Sequence, residues 1–168
     1  ELVKKRIRTN EIGKITSDQF VLDDDYNVPD AKADIGRVVS GEGTIKIEEI
    51  KRVENYLRVS GKLFFKVLYV TDSVMPELES LRGQIPFEEM VYVESSGGED
   101  YVAQVTGVEF SSTLIHSRKL AIKAMVDLLI HAEKAQEEET TIDVEGEGRI
   151  FKKMCPIEIL QLHTSKRD

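Results

Sequence analysis

Tryptophan is absent from this 168-residue chain, and there is a single cysteine, Cys155. A lone cysteine closes no internal disulfide, so the fold needs no oxidising compartment. With no tryptophan and only five tyrosines, the chain has few flat aromatic platforms on which a sugar ring could stack. No apolar run reaches the roughly 18 residues of a bilayer-spanning helix, so no membrane insertion is expected. Positive charge is also in short supply: 23 Lys and Arg stand against 31 Asp and Glu, a formal net charge of −8. That balance argues against a sequence-independent grip on nucleic acid, which needs clustered cations, and argues weakly against anionic membranes. The first residue is Glu1 rather than methionine, which reads as a piece of a longer protein, so a missing signal peptide carries no weight. The length suggests one domain, or one and a half, able to bury about 70% of its unfolded surface.

What the chain does have is the same hairpin pattern written twice, 63 residues apart, from about Val39 to Val70 and from about Val102 to Ala132. Leu57, Val59, Gly61, Leu63, Phe65 and Val67 occupy alternate positions, and Leu120, Ile122, Ala124, Val126, Leu128 and Ile130 repeat them. In the incoming arms, Ile45 and Ile47 answer to Val108 and Phe110. Alternation with period two marks strands with one buried face. The expected fold is therefore mainly β: a two-layer β-sandwich or partly open barrel, with two pseudo-repeated hairpins and at most short helices. Leu63, Phe65, Val126 and Leu128 are expected in the core, with Lys123 and Asp127 on the opposite parity.

Around these hairpins the signals are local. Residues 1–10 are basic and read as a first strand or a frayed arm. Phe20, Val21 and Leu22 begin a short strand expected to stop at Asp23, Asp24 and Asp25. Asn27 to Gly36 has turn chemistry, with room for one helical turn capped by Asp30. Asn55 is expected to take the left-handed position between the first two hairpin strands. The run Leu63–Val70 is apolar at nearly every position and reads as a strand covered on both faces. Residues 71–84 read as a connection, and Ile85–Val93 as a strand whose Pro86 suits an edge or a bulge. Ser95–Asp100 reads as a turn. Glu133–Glu139 is acidic and reads as an exposed helical turn or loop, before a last strand at Thr140–Val144. Domain limits are expected at 1–145, followed by 146–168 as a linker and the start of a truncated segment.

The chemistry-bearing residues form no recognisable reaction centre. Asp23, Asp24, Asp25, Asp30 and Asp34 supply hard oxygens for a cation, but lack the glycine and closing glutamate of an EF-hand loop. His116, His131 and His163 have no paired spacing, and Cys155 has no CxxC partner, so no zinc site is expected. His116 falls in a hairpin loop and His131 on a solvent face. Gly41-Glu42-Gly43 and Gly146-Glu147-Gly148 lack the context of a dinucleotide loop; Gly41 and Gly43 suit a bulge or a close backbone approach. With no identifiable base or nucleophile, no catalytic residue, no metal and no cofactor is assigned.

The run Val28-Pro29-Asp30-Ala31-Lys32-Ala33-Asp34-Ile35 resembles the VPD-x-K-x-DI signature of SPOCS domains, the repeated domains of SipL-type spore-coat proteins in clostridia and their relatives. Other segments agree in order: Leu57–Gly61 with Phe65–Val70, Ile85-Pro86-Phe87, and His116-Ser117-Arg118-Lys119-Leu120, which is similar to the family's N-S-R-K-L with His116 in place of Asn. The family usually has Pro where Ala33 stands here. The resemblance covers roughly residues 1–145. It implies a non-enzymatic protein-protein interaction module that helps seat the spore coat on the forespore, in the cytoplasm of the mother cell, through the coat scaffold ATPase SpoIVA. The alternative from another class is a module that binds peptidoglycan or another glycan. Oligomeric state is not implied. Within the signature, Pro29, Asp30 and Asp34 are expected to be structural, with Asp30 or Asp34 capping a short turn and pairing with Arg118. Exposed Lys32 is expected to touch a partner.

Overall fold

The computed structural model describes residues 2–94, 99–145, 151, 153, 155 and 156. Part of the turn expected at Ser95–Asp100 lies outside these residues, as do Gly146-Glu147-Gly148, His163 and most of the segment 146–168. Among the described residues six strands follow one another: β1 (Leu2–Asn27), β2 (Ile35–Val53), β3 (Tyr56–Thr71), β4 (Leu78–Tyr92), β5 (Asp100–His116) and β6 (Lys119–Val144). They form two three-stranded antiparallel sheets in the orders β1-β6-β5 and β2-β3-β4. No helix occurs among the described residues.

The arrangement is a sandwich. Phe20 of β1 meets Phe87 of β4 with ring centroids 5.3 Å apart, and Phe65 of β3 lies between Tyr26 of β1 at 4.9 Å and Phe110 of β5 at 6.0 Å. The inward residues of the two central strands, β3 and β6, are the buried centre. Leu63, Phe65, Val126 and Leu128 are all buried, as the parity requires. Lys123 is exposed and Asp127 half-buried on the other parity.

The two hairpins repeat in register over their middle, Thr44–Ile47 with Gly61–Phe64 and Gly107–Phe110 with Ala124–Asp127, and are displaced by one residue beyond it because their bulges fall at different places. Ile45 faces Leu63, and Val108 faces Val126; Ile47 faces Gly61, and Phe110 faces Ala124. A shift of 63 residues carries each pair onto the other. Gly41 and Gly43 sit in a close approach rather than at the bulges of β2. A Cβ built on them would meet the Phe110 ring at 2.5 and 2.7 Å.

Several local expectations are overturned. β1 runs straight through Asp23–Asp25, because pairing with β6 outweighs the weak strand preference of aspartate. The segment after it holds a hydrogen-bonded turn, Lys32 N–H to Pro29 O at 2.9 Å, and no helical turn for Asp30 to cap. Glu54, not Asn55, takes the left-handed position, with φ of 54°. The apolar run in β3 is buried on one face only; on the other, Phe64 is 41% exposed and Leu68 and Val70 are half-buried. β4 starts at Leu78, earlier than Ile85, and Pro86 sits on this edge strand where no further ladder needs its N–H. Glu133–Glu139 is strand, the continuation of β6.

The chain divides into two compact units, Asn10–Ala135 and Glu1–Thr9 with Gln136–Asp168. The first contains the buried core. In the second, the basic start of β1 faces the acidic end of β6. Arg8 and Glu137 pair at 2.8 Å, and Glu139 lies 3.5 Å from Arg6 and 3.9 Å from Lys4. These pairs are exposed, so each contributes about 0–1 kcal/mol; the charge match directs pairing more than it stabilises it.

Candidate functional site

The signature turn is where separate parts of the fold converge. Val28 and Ile35, both buried, pin its two ends to the core. Val28 N–H donates to Arg118 O at 2.8 Å and Ile35 N–H to Ser117 O at 2.9 Å, so the two-residue loop between β5 and β6 hydrogen-bonds both ends of the turn.

Arg118 then fills the turn from within. Its Nη1 donates to Lys32 O at 2.6 Å and to Asp34 Oδ1 at 3.1 Å; its Nη2 donates to Pro29 O at 2.9 Å and Val28 O at 3.2 Å. Only Arg has enough donors in one plane to hold four acceptors this way. The Asp34 carboxylate is held by one nitrogen rather than by a two-bond fork, and the remaining donors go to main-chain carbonyls. Asp30 is 4.0 Å from Arg118 with its side chain in solvent. His116 Nδ1 accepts from Arg118 N–H at 3.1 Å. From below, the Tyr69 hydroxyl donates to Glu79 Oε2 at 2.9 Å and lies 3.4 Å from Ala33 O. Burial and then the Glu79 carboxylate push the Tyr69 hydroxyl up to about 12. Lys32 is exposed, with no ion pair among the described residues.

The β3–β4 loop is tied to the same place: Asp72 N–H donates to Asp34 O at 2.8 Å. Thr71 closes this loop by donating its N–H to Glu77 O and accepting Glu77 N–H on Oγ1, both at 2.9 Å. Ser73 Oγ donates to Met75 O at 2.7 Å. The loop's small polar side chains are thus spent on its own shape, while Val74 and Met75 point outward at 101% and 80% exposure. The sequence pattern gives Val74 and Met75 no role, and gives Tyr69 and Ser117 none beyond their place in the segments that carry the resemblance. The one available signal was an apolar pair inside a turn-rich stretch with no strand parity to absorb it.

The other candidate residues are not assembled into a centre. Asp25 pairs with Lys119 at 3.2 Å, and Asp24 Oδ1 accepts Asp25 N–H. Among the described residues no group of three or more metal-ligating side chains gathers. His131 is half-buried and 3.1 Å from Glu133. A different carboxyl pair lies between the edge strands β1 and β4: Glu89 is pushed up by burial and then by the charge of neighbouring Asp18. Asp18 Oδ2 is buried without a hydrogen-bond partner among the described residues.

Compared with known families, residues 34–113 match the model of the SipL, SPOCS domain. The matched span runs from Asp34 through most of β5 and ends before Arg118. No curated protein and no solved structure matches the chain.

Proposed function

We propose, from the premise that this chain contains a SipL/SPOCS domain over residues 34–113, that it docks on a protein partner through the end of the sandwich where the signature turn and the β3–β4 loop meet. The SPOCS family is one of non-enzymatic spore-coat interaction modules, and its setting is the mother cell building a coat. The partner that the resemblance implies is the coat scaffold ATPase SpoIVA. The docked position is then the mother-cell cytoplasm at the forespore surface, where the domain helps seat the coat scaffold.

The observation that carries this reading is the pair Val74 and Met75, held in water by a loop whose backbone is already fixed. A fixed loop loses little further entropy on binding, so apolar side chains presented this way are efficient anchors. In this reading Pro29, Asp34 and Arg118 shape the turn, and Lys32, Val74 and Met75 make the contact. Asp30, out in solvent, contributes little to the turn.

The test uses purified SpoIVA with three variants. Val74→Asp with Met75→Asp is expected to weaken binding by at least about tenfold with an unchanged melting temperature. Lys32→Glu is expected to weaken it less. Asp34→Ala is expected to lower the melting temperature. Loss of binding in Asp34→Ala with a parental melt would instead make the signature an epitope. The glycan alternative has its best support in Tyr56 and Tyr92, exposed neighbours on β3 and β4. Their rings stand at 74° to one another, one face and one edge, which is not a platform. Retention on purified cell-wall material without any protein partner would favour it.

A further inference from the structure

The outer faces of the two sheets carry opposite charge. On the β2-β3-β4 sheet the register places Lys46 beside Lys62 and Lys51 beside Arg58, with Lys66 and Arg82 paired in another row and Arg37 at the end. Glu42, Glu49 and Glu88 are the acidic residues in the same rows, and Glu48 reaches Lys62 from a bulge, so seven cations face four anions, a net of +3. Arg58 lies 3.8 Å from Glu49, and Lys62 lies 3.6 Å from Glu48 at a bulge. Arg37, Lys46, Lys51, Lys66 and Arg82 have no carboxylate partner among the described residues. On the β1-β6-β5 sheet the outward positions hold Asp23, Asp25, Asp100, Glu109, Asp127 and Glu133 against Lys119 and Lys123, six anions to two cations, a net of −4. A chain of net charge −8 has therefore kept one broad face positive.

Both faces also carry exposed apolar side chains: Phe64, Met90 and Tyr92 on the positive one, Val21 and Val102 on the negative one. With 16 residues in β3, a three-stranded face measures about 50 Å by 14 Å, or about 700 Å², near the roughly 800 Å² per partner of a standard interface. Any occupant of the positive face must be flat, acidic and sparsely apolar. A surface of that description lies on the far side of the same sandwich.

We infer that this domain stacks on further copies of itself, the outer face of its β2-β3-β4 sheet against the outer face of the β1-β6-β5 sheet of the next copy. The two faces are different surfaces, so the contact is heterologous and repeats into an open stack rather than closing as a two-fold dimer. Like net charge between chains opposes the stack at long range, but at about 8 Å of screening length in physiological salt the facing charges dominate. The stack leaves the β3–β4 loop and the signature turn at the end of the sandwich, off both faces.

The experiment is sedimentation of the full chain across concentration at about 0.15 M and at about 0.5 M salt, with two neutralised variants. One replaces Lys46, Lys66 and Arg82 by Gln; the other replaces Asp23 and Asp100 by Asn with Glu109→Gln. The parent is expected to grow in mean mass with concentration at about 0.15 M salt and to return to monomer at about 0.5 M. Each variant alone is expected to fall short of the parent by about tenfold or more in association. Mixed together they are expected to give a discrete species of two chains, since each retains one intact face. A parent that stays monomeric throughout overturns the inference. So does a variant pair in which only one set of changes has an effect, which would mean a two-fold contact or a different occupant. Parental association in both variants overturns it as well.

Discussion

The hairpins β2–β3 and β5–β6 share a register over Thr44–Ile47 with Gly61–Phe64 and Gly107–Phe110 with Ala124–Asp127, and differ in where their bulges fall and in their tips. The β2–β3 tip is Glu54-Asn55, with a left-handed backbone at Glu54. The β5–β6 tip is Ser117-Arg118, and its backbone and guanidinium hold the signature turn. The ladders repeat because both pack one face on the same core. The tips differ because a two-residue turn satisfies the strands and leaves its side chains free for other work. The third strand differs too: β4 follows β3 directly, whereas β6 is flanked by β1 from the other end of the chain.

The largest way to break the comparison is through the core. Phe65→Ala is expected to cost about 3–5 kcal/mol and its 63-residue equivalent Leu128→Ala about 2–5. Lys123→Ser should stay within about 0.5 kcal/mol. Denaturant melts of the three check this, and equal effects of Phe65→Ala and Lys123→Ser would mean an inverted register.

Gly61 and Ala124 are equivalent positions that should respond unequally. A Cβ on Gly61 would run into the main-chain oxygen of Lys46 on the neighbouring strand. Gly61→Ala should therefore cost about 1–3 kcal/mol through a forced shift, while Ala124→Gly should cost about 1 kcal/mol or less through chain entropy. Equal costs would show that the first hairpin yields more easily than its packing suggests.

At the tips, Arg118→Ala removes the donor to three carbonyls and one carboxylate, and about 1–2 kcal/mol is expected in a thermal melt. Arg118→Lys should not rescue it, because a point charge cannot span the same acceptors. Glu54→Asn should act in the opposite sense and stabilise by about 0.5 kcal/mol, since Asn tolerates the left-handed region better.

The smallest expected effect lies at Glu89. Its folded-state pKa is raised, so its contribution is fully present below the ordinary carboxylate value of 4.5 and is lost as pH climbs through the higher folded one. Glu89→Gln is therefore expected to raise the melting temperature at neutral pH, and the gain should fade on acidification. A gain of the same size at acid pH would point to packing instead.

Parity was legible in the residues themselves. Leu63, Phe65, Val126 and Leu128 announce their face because side chains alternate along a strand whatever it pairs with. The 63-residue shift was legible for the same reason and matches the register in the middle of both hairpins, while the bulges, which carry no sequence signal here, fall at different places. The tie between Arg118 and the signature turn was legible only as a choice among pairings. Its actual form, three carbonyls and one carboxylate, depends on backbone oxygens that look alike in every sequence.

What the sequence determined by itself was the set of strands that make the core, their inward faces and the doubling of the hairpin, all consequences of local periodicity. Which strands are edges, that β1 rather than a fourth sequential strand completes the second sheet, and that β1 continues through Asp23–Asp25 were decided by pairing partners more than 90 residues away. The outward thrust of Val74 and Met75 and the opposite charge of the two outer faces were likewise decided only in three dimensions. Burial and electrostatic fields are sums over neighbours that the chain brings together only when it folds.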